Sequence, residues 1–527
     1  MGQLLEKRAS EYEDKTYLVF NDQETSYREF DRQVNRVANA LTRLGVTKGT
    51  HVNVHLGNCP EFLQTFFALT KIGAVLNPSN LALTGNELKY ILDHAEAEIS
   101  ITSTWFKDLI KSLRPSCKNL QRIVVIGEEE SEGGVISWDE MMRDTSATFR
   151  ADVSSTPDDM AVLMYTTGTT ALPKGVMLSH QNITSAGYSW MWAAGFTPKD
   201  RTLAGFPLFH ANALVFSCVG SMAHGGSVLL LERMTFANLM ELARRYNVTH
   251  FNFAGPAMAL MMWLPEDPKD PVNPVRVVHC AMGSPELVEA WARRFQIQVV
   301  MAYNLTECTL ATGTPISGPN RVKPGSIGWA APSAPYPTEI RVVDPMGNDT
   351  PVGVAGEIIV RGPAVMKGYY KEPSRTAEAI KDGWLHTGDL GWRDEDDCLW
   401  FSDRLKDVVK VRGENVSSVE VEEAIGAHPK VAEVAVLGVG EAASGAQEIV
   451  ASMVLTHGEN AETVPPQEII EWCKQRLAKF KIPRFYNYRD EPLPRVGGIK
   501  ISKKDMRQDK KILTKGCYDS RKEEWLG

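Results

Sequence analysis

The chain has 527 residues, of which 43% are hydrophobic, so it is globular and too long for one ordinary core. Its net charge of -8 at pH 7 argues against a general nucleic-acid binder, because that role needs a basic face that displaces counterions. The eight cysteines form no CxxC pair, which argues against a disulfide or zinc framework and favours a reducing, cytoplasmic compartment. The charged start, MGQLLEKRASEYEDK, lacks the apolar core of a signal peptide.

The first part of the chain alternates between helical and strand patterns. Ser26 and Glu29 have the spacing of a capping box, and apolar residues then recur at helical spacing up to Gly45. Apolar residues at 52, 54 and 56 predict a strand, and Pro60 opens a second helix that stops before Gly73. Short apolar runs follow at 123–126, 161–165, 227–231, 275–279 and 297–301. This alternation predicts α/β layers built on largely parallel sheets.

One stretch, residues 202–231, contains no Asp, Glu, Lys or Arg. It does contain two histidines, an asparagine, a proline and four glycines, which are unusual in a membrane-spanning helix. We therefore predict two buried strands and a helix of a large core, and no transmembrane segment.

The pattern changes near residue 314. Gly and Pro become frequent through 314–372, and the strands, such as 356–361, become short, which predicts a more antiparallel, barrel-like section. The chain turns charged and glycine-punctuated around 404–415. Beyond it we predict a small α+β domain, with a helix near 418–426, strands near 432–437 and 449–455, and an amphipathic helix near 467–480.

The strongest local signal is the run Thr166-Thr167-Gly168-Thr169-Thr170-Ala171-Leu172-Pro173-Lys174-Gly175, which follows an apolar strand. Hydroxyls, flexible backbone and a lysine after a strand suit a phosphate cradle, because phosphate oxygens need several donors at close range. The run is not a Walker A loop, since Val176 stands where that motif would continue and Lys174 precedes the glycine. The alternative is an ordinary Thr/Gly-rich loop. Four threonines followed by Pro-Lys-Gly are more typical of a phosphate cradle than of such a loop.

Further segments follow in order: Pro207–His210, Ala302–Glu307, Trp384–Asp389, Asp403–Asp407, Gly413–Val416 with Glu420, and Leu493–Arg495 with Lys500–Ile501. With residues 166–175 they resemble the signatures of the adenylate-forming superfamily, which includes acyl- and aryl-CoA synthetases, peptide-synthetase adenylation domains and luciferases. The resemblance extends over most of the chain, and it is nearest to carnitine- and medium-chain-type bacterial CoA ligases. Each segment alone is a weak signal, whereas their ordered co-occurrence is specific.

The resemblance implies an α/β fold. It consists of a large N-terminal domain of layered α/β subdomains with a small β-barrel section, followed by a small mobile α+β C-terminal domain. The implied boundaries are 1–403 for the AMP-binding domain, 404–406 for the hinge and 407–527 for the mobile domain that carries the catalytic lysine.

The resemblance also implies a role for each matching residue. The residues implied for ATP are Thr166, Thr167, Gly168, Thr169, Thr170, Lys174, Gly283, Ser284, Tyr303, Asp389 and Arg404. Those implied for catalysis are Thr306 at the α-phosphate, Glu307 as the Mg²⁺ ligand and Lys500 between carboxylate and phosphate. Those implied for the acyl pocket are His210, Ala211, Phe253, Ala254, Gly255, Met282, Ala302 and Cys308. Lys406 would be the hinge, and Gly413, Glu414 and Asn415 would face coenzyme A.

Some of these residues have simpler interpretations when taken singly. Asp389 can cap a turn, Tyr303 can be a core aromatic, and a histidine in an apolar run is more often buried than catalytic. We therefore interpret His210 as a pocket wall and gate rather than as an acid or base. The acidic run 394–397 is interpreted as a solvated hairpin turn.

Three positions depart from the family pattern. Ala171 stands where the family usually has Gly, and a methyl group there stiffens the cradle if φ must be positive. Asp403 stands where a Gly normally precedes the hinge arginine. Ile499 stands where a Gly normally precedes the catalytic lysine, so the reach of Lys500 is the least secure of the inferred roles.

These residues predict an enzyme that uses ATP and Mg²⁺ to activate a carboxylic acid as an acyl-adenylate and then transfers the acyl group to coenzyme A. One alternative is an enzyme that loads a carrier protein, although the 27 residues after Lys500 are too few for a carrier module. Another is a nucleotide-binding protein that has lost catalysis. The sequence does not identify the acid and leaves a homodimer open.

Overall fold

In the computed structural model, the described residues are 1–83, 85–151, 155–166, 173–281, 283, 285–316, 323–333, 335–405, 407–411, 414–440, 447–496, 500–508 and 517–526. They divide into two compact units. The first contains 1–340 and 360–385, and the second contains 341–359 and 386–527. The predicted boundaries at 403 and 407 differ from this division and remain a prediction.

The helices are α1 (Gly2–Tyr12), α2 (Tyr27–Arg43), α3 (Pro60–Ile72), α4 (Gly85–His94), α5 (Lys107–Leu113), α6 (Trp138–Met142), α7 (His180–Ala193), α8 (Gly220–His224), α9 (Leu239–Tyr246), α10 (Gly255–Met262), α11 (Pro285–Phe295), α12 (Pro373–Ala379), α13 (Ser418–Gly426), α14 (Pro466–Lys474) and α15 (Lys503–Gln508). Arg114–Ser116 and Lys479–Lys481 are 3₁₀ turns, and Asn212–Val219 is a π-helical segment.

The strands are β1 (Thr16–Phe20), β2 (Gln23–Ser26), β3 (His51–His55), β4 (Val75–Pro78), β5 (Ile99–Ser103), β6 (Arg122–Ile126), β7 (Val135–Ser137), β8 (Met160–Thr166), β9 (Lys174–Ser179), β10 (Arg201–Ala204), β11 (Ser227–Leu230), β12 (His250–Ala254), β13 (Val277–Ala281), β14 (Gln298–Tyr303), β15 (Thr312–Gly313), β16 (Trp329–Ala330), β17 (Glu339–Val343), β18 (Gly356–Arg361), β19 (Gly368–Tyr369), β20 (Ile380–Lys381), β21 (Trp384–Arg393), β22 (Leu399–Arg404), β23 (Val409–Val411), β24 (Glu414–Val416), β25 (Val431–Val439), β26 (Glu448–Leu455), β27 (Phe485–Tyr488), β28 (Arg495–Val496), β29 (Lys500–Ile501), β30 (Cys517–Asp519) and β31 (Glu524–Leu526).

The first unit contains two large sheets. One has the order β19-β9-β8-β4-β3-β5-β6-β7, and the other has the order β16-β15-β14-β13-β12-β10-β11-β1-β2. The central strands of both sheets are parallel, while β9 and β19 in the first and β15 and β16 in the second are antiparallel edges. The predicted layers on largely parallel sheets are therefore confirmed.

The helix limits follow from their caps. Ser26 accepts a hydrogen bond from the backbone N–H of Glu29 and starts α2, whose buried face includes Phe30 and Leu41. Gly73 ends α3 with a φ of 86°, a conformation that favours glycine because a Cβ would be strained there. The predicted starts of these two helices are confirmed.

The uncharged stretch 202–231 forms β10, the π-helical segment, α8 and β11, and both strands are buried. Within the described ranges, no helix has both the length and the apolar character needed to cross a bilayer. The interpretation as buried strands and a helix is confirmed.

The second unit has a five-stranded sheet of order β25-β26-β27-β30-β31, with α13 and α14 contributing to its core through Ile425 and Ile469. Helix α13 has the predicted limits of 418–426. The predicted helix 467–480 is too long, because α14 ends at Lys474 and a 3₁₀ turn follows at 479–481. The backbone at Ala478 is extended, with φ −62° and ψ 147°, and this separates the helix from the turn that follows.

Candidate active site

The two strands that flank the threonine-rich loop form an antiparallel hairpin. Strand β8 ends at Thr166 and β9 begins at Lys174, and these two residues are paired across the hairpin. The loop therefore starts and ends at one place on the sheet. Thr167, Gly168, Thr169, Thr170 and Ala171 lie outside the described residues, so their predicted contacts with phosphate remain a prediction.

Lys174 and Glu307, predicted for phosphate and metal, both contact Tyr369. The Tyr369 hydroxyl donates a hydrogen bond to Oε1 of Glu307 at 2.8 Å. The Lys174 ammonium lies over the Tyr369 ring, 4.6 Å from its centroid. Burial raises the pKa of the Tyr369 phenol and the neighbouring Glu307 carboxylate raises it further, so the phenol stays a donor. Sequence reasoning missed Tyr369, because a tyrosine beside a glycine at 368 carries no distinctive pattern.

The predicted adenine and catalytic residues follow one strand. Tyr303 is the last residue of β14 and is 7% exposed, and Thr306 and Glu307 lie in the turn just after it. The Glu307 carbonyl accepts a hydrogen bond from the N–H of Met366 at 2.8 Å, which ties this turn to the segment before β19. The strand end therefore places Tyr303, Thr306 and Glu307 within one short piece of chain.

Ala302, one residue before Tyr303, lines a narrow apolar cavity whose packed walls leave no room for a water molecule. Its walls come from α7, β13, β14 and the segment that runs from β14 to the residue after β16. The lining residues are Ser189, Trp190, Trp192, Ala193, His279, Ala302, Leu310, Thr312, Gly313 and Ala331. Of the predicted acyl-pocket residues, this cavity includes Ala302. The other wall residues were missed, because their apolar pattern is the same as that of a core.

The remaining predicted pocket residues are spread over the first unit. Phe253 packs in the core, 5.8 Å from the Trp291 ring, and Cys308 is 1% exposed with its pKa raised by burial to about 12. The His210 ring lies 4.3 Å from that of Phe209, and the residue is exposed. Their roles at the acid remain a prediction.

The other predicted pocket residues are described only in part, as are Gly283 and Ser284, which are predicted for ATP. Ala211 precedes the π-helical segment, and Gly255 begins α10. A Cβ on Gly283 would lie 2.9 Å from the Cys280 sulfur, so only glycine fits there without movement. Met282, Ser284 and the side chain of Ala254 lie outside the described residues.

In the second unit, Asp389 and Arg404 form a pair across β21 and β22. Their side chains approach to 3.3 Å between Arg404 Nε and Asp389 Oδ1, and Asp389 is 3% exposed. The part of β21 just before Asp389 is held by Glu357, whose carboxylate accepts from the N–H of Gly388 at 3.0 Å and contacts His386 Nδ1 at 2.8 Å. The acidic run 394–397 forms the turn between these two strands, as expected from the sequence.

Asp403, a departure from the family pattern, is buried and anchors the start of α13. Its carboxylate accepts hydrogen bonds from the Ser418 N–H at 2.5 Å, the Ser418 hydroxyl at 3.1 Å and the Arg404 N–H at 2.6 Å. Lys503 donates to the Ser418 hydroxyl at 2.6 Å and pairs with Glu422 at 2.7 Å. The sequence did not indicate this cluster.

The hinge and the C-terminal catalytic segment are described only in part. Lys406, Gly413 and Ile499 lie outside the described residues, as do the side chains of Glu414, Asn415 and Lys500. The backbone of Glu414 and Asn415 belongs to β24, and that of Lys500 pairs with Val496 in a small antiparallel hairpin. The predicted roles of these residues remain predictions.

Comparison with known proteins identifies the family. Residues 5–370 match the model of the AMP-binding enzyme family, and residues 420–497 match that of the AMP-binding enzyme C-terminal domain. The chain belongs to the AMP-binding enzyme family.

Its relatives within this family are CoA ligases. The crotonobetaine/carnitine–CoA ligases of Salmonella choleraesuis (strain SC-B67) and Salmonella typhi are each 33% identical to it over 521 residues, covering 96% of this chain and 98% of theirs. The anthranilate CoA ligase AuaEII, solved with anthranoyl-AMP, matches with a TM-score of 0.87 at 27% identity, covering 96% of each chain. ATP-bound MatB from Rhodopseudomonas palustris matches with a TM-score of 0.86 at 27% identity, covering 96% of this chain and 98% of MatB.

This member of the AMP-binding family is therefore an enzyme, an adenylate-forming acid–CoA ligase. The expected fold, with a large N-terminal and a small C-terminal part, is also confirmed.

Proposed function

We propose that the enzyme joins a small to medium, apolar carboxylic acid to coenzyme A at the expense of ATP. One observation carries the choice of acid. Ala302 lines the apolar cavity, while Tyr303, Thr306 and Glu307 continue the same chain toward the proposed nucleotide site. An acid whose tail entered between these walls would have its carboxylate directed toward these residues, and the walls would have to separate to admit the tail.

The first half-reaction sets what the residues must do. A carboxylate attacks the α-phosphorus of ATP and pyrophosphate leaves, so negative charge concentrates on the reacting phosphate. Catalysis of such a step consists mainly of positioning and charge compensation. Lys174 would bind the phosphates, Thr306 would donate to the α-phosphate, and Lys500 would bridge carboxylate and phosphate oxygens. The threonines at 166–170 would supply further donors.

Three further residues are proposed for the nucleoside part of ATP. Tyr303 would lie against adenine, Asp389 would accept hydrogen bonds from the ribose hydroxyls, and Arg404 would add a donor. The observed Asp389–Arg404 contact supports this assignment, because it keeps the acceptor and the donor at neighbouring positions.

The donor set fits Mg²⁺. Glu307 and Thr306 supply oxygen atoms, which hard cations prefer, and one oxygen of Glu307 accepts the Tyr369 hydroxyl. Among the described side chains, no three His, Cys, Asp or Glu residues gather into a metal site. We therefore propose that Glu307 holds the cation together with the phosphates of ATP. There it would neutralise charge that develops on the phosphate oxygens.

The second half-reaction needs a different arrangement. The thiol of coenzyme A attacks the acyl carbon of the acyl-adenylate, and AMP leaves. The Lys500 side chain, proposed to lie at the phosphorus during adenylation, must first move away. We propose that the C-terminal domain pivots at Lys406, so that the 413–415 loop faces coenzyme A in this step. All eight cysteines are free thiols, which supports a reducing, cytoplasmic location.

The test is a panel of carboxylic acids in a pyrophosphate-release assay with ATP, Mg²⁺ and coenzyme A. The panel contains short- and medium-chain fatty acids, aromatic acids, crotonobetaine and carnitine, since the relatives are named for the last two. Glu307→Gln is the inactive control, because it removes a metal-binding charge. We expect acid-dependent pyrophosphate and free acyl-CoA. Pyrophosphate without acyl-CoA, or neither product with any acid, would contradict the proposal.

A further inference from the structure

Tyr369 connects two residues that the proposed reaction uses and has no role of its own in it. Its hydroxyl donates to Oε1 of Glu307 at 2.8 Å, and its ring faces the Lys174 ammonium at 4.6 Å. The Glu307 carboxylate, proposed for the metal, and the Lys174 ammonium, proposed for the phosphates, thus both contact the Tyr369 side chain. The ring face attracts the cation without supplying an anion that would compete with phosphate.

The backbone around Tyr369 is fixed on both sides. Strand β19 pairs with β9, placing Tyr369 opposite Val176, and the Tyr369 N–H donates to the Thr376 hydroxyl at 2.9 Å. The neighbouring N–H of Tyr370 donates to the carbonyl of Gly175 at 2.8 Å, next to Lys174. Tyr369 is 6% exposed, so its ring has little room to move. A rigid side chain of this kind can orient the flexible ones that it contacts.

Glu307 gains most from this orientation. A glutamate side chain has three rotatable bonds, and ordering it for a ligand costs conformational entropy. The Tyr369 hydroxyl engages one carboxylate oxygen and leaves the other, Oε2, available to a cation. The backbone of Glu307 is held independently, by the hydrogen bond from Met366. Backbone and side chain are therefore both ordered before a ligand binds.

We propose that Tyr369 is a positioning residue that orients Glu307 for Mg²⁺ and Lys174 for the phosphates of ATP. This inference rests on the proposed function, in which those two residues bind Mg²⁺–ATP. It predicts a defect in the magnesium dependence of ATP binding, which a purely structural role would not produce.

The adjacent residue provides a matched control. The Tyr370 hydroxyl donates to Oε2 of Glu96, also at 2.8 Å, so Tyr370→Phe removes the same atom and the same type of bond one residue away. Tyr369→Phe removes the hydroxyl and keeps the ring over Lys174, whereas Tyr369→Leu removes both. ATP binding is measured by isothermal titration calorimetry over a series of Mg²⁺ concentrations, with no acid present. Thermal unfolding without ligands reports on stability.

In Tyr369→Phe, we expect the Mg²⁺ concentration for half-maximal ATP binding to rise roughly three- to tenfold. We expect no such change in Tyr370→Phe. Tyr369→Leu should in addition weaken ATP binding at saturating Mg²⁺. An unchanged magnesium dependence in Tyr369→Phe, or an equal change in Tyr370→Phe, would overturn the role of Tyr369 and leave the proposed function standing. A wild-type enzyme that fails to bind ATP with Mg²⁺ would overturn the proposed function as well.

Discussion

Ala302 connects the apolar cavity to the nucleotide residues, and its size limits what the cavity can hold. Ala302→Leu adds three carbon atoms to the wall of a cavity that is already narrow, so we expect a shift in preference toward shorter acids. The measurement is the rate of pyrophosphate release across a series of straight-chain acids. ATP binding serves as the control. If the variant binds ATP normally and keeps the acid profile of the parent, this cavity is not the acid site.

His55, the last residue of β3, is buried and makes the free energy of unfolding depend on pH. His55 is fully buried, its Nδ1 lies 2.9 Å from the Ser79 hydroxyl, and desolvation lowers its pKa to about 4. In the unfolded chain a histidine titrates near 6.5. Between these two values the unfolded state binds a proton that the folded state does not. The stability contribution is therefore complete above pH 6.5 and is lost as the pH falls toward 4.

His55→Gln should reduce this acid sensitivity. At pH 5 the wild-type protein should have lost about 2 kcal/mol of unfolding free energy through His55, relative to pH 7. Between pH 7 and pH 5, His55→Gln should lose about 2 kcal/mol less unfolding free energy than the wild type. Urea unfolding of the first unit at the two pH values measures this difference. His457→Gln, which changes an exposed histidine, is the control. Equal pH sensitivity in the wild type and His55→Gln would contradict the assignment.

At the scale of elements, the sequence predicted structure well where the signals were local. The starts of α2 and α3 follow from Ser26 and Pro60, because capping depends on residues within one turn. The end of α14 was misplaced, because apolar spacing continues through Leu477 although the helix stops at Lys474. Spacing alone does not distinguish a helix from the turn that follows it.

The candidate site shows the same contrast. Glu307 and Asp389 could be chosen from the sequence, because the family signatures contain them. The cavity could not be predicted in full, because Trp190, His279 and Leu310 come from separate elements and meet only in the folded chain. Tyr369 was missed for the same reason, since its contacts with Lys174 and Glu307 span distant parts of the sequence.

Helix α13 is anchored to the end of β22 by Asp403, and this contact can be tested. Asp403→Ala removes a buried carboxylate that accepts hydrogen bonds from the helix N-terminus at Ser418. We expect a loss of about 1–3 kcal/mol in the unfolding free energy of the second unit. Asp403→Asn should lose less, because the amide oxygen still accepts.

The control for this prediction is Asp397→Ala. Asp397 forms an ion pair with Arg393 in the turn between β21 and β22, and its side chain is 73% exposed. Exposed pairs of this type contribute little to stability. Urea unfolding followed by hydrogen–deuterium exchange of peptides from residues 386–527 measures the second unit. Equal stability of Asp403→Ala and the wild type would show that the carboxylate does not anchor the helix.

At the scale of the whole molecule, the chemistry makes opposite demands on one segment. In the proposed mechanism Lys500 lies at the phosphorus during adenylation, but a lysine in that position would block the thiol of coenzyme A. The backbone of Lys500 lies in the β28–β29 hairpin, and α15 follows at Lys503. Lys500 therefore belongs to a structured segment of the second unit and would move with it. A rotation of the domain about a few backbone angles resolves the conflict, since hinges typically consist of a few residues at the ends of elements.

This mechanism predicts opposite effects for two variants. Lys500→Ala should abolish acyl-adenylate formation and leave thioester formation from supplied acyl-adenylate largely intact, because it removes a charge used only in the first step. Lys406→Pro should impair thioester formation more than adenylation, because proline fixes φ near about −65° and prevents rotation at the hinge. The two half-reactions are measured separately, as pyrophosphate release without coenzyme A and as thioester formation from synthetic acyl-adenylate. Thermal unfolding confirms that both variants are folded. If each folded variant loses both half-reactions to the same extent, the enzyme does not work through two orientations.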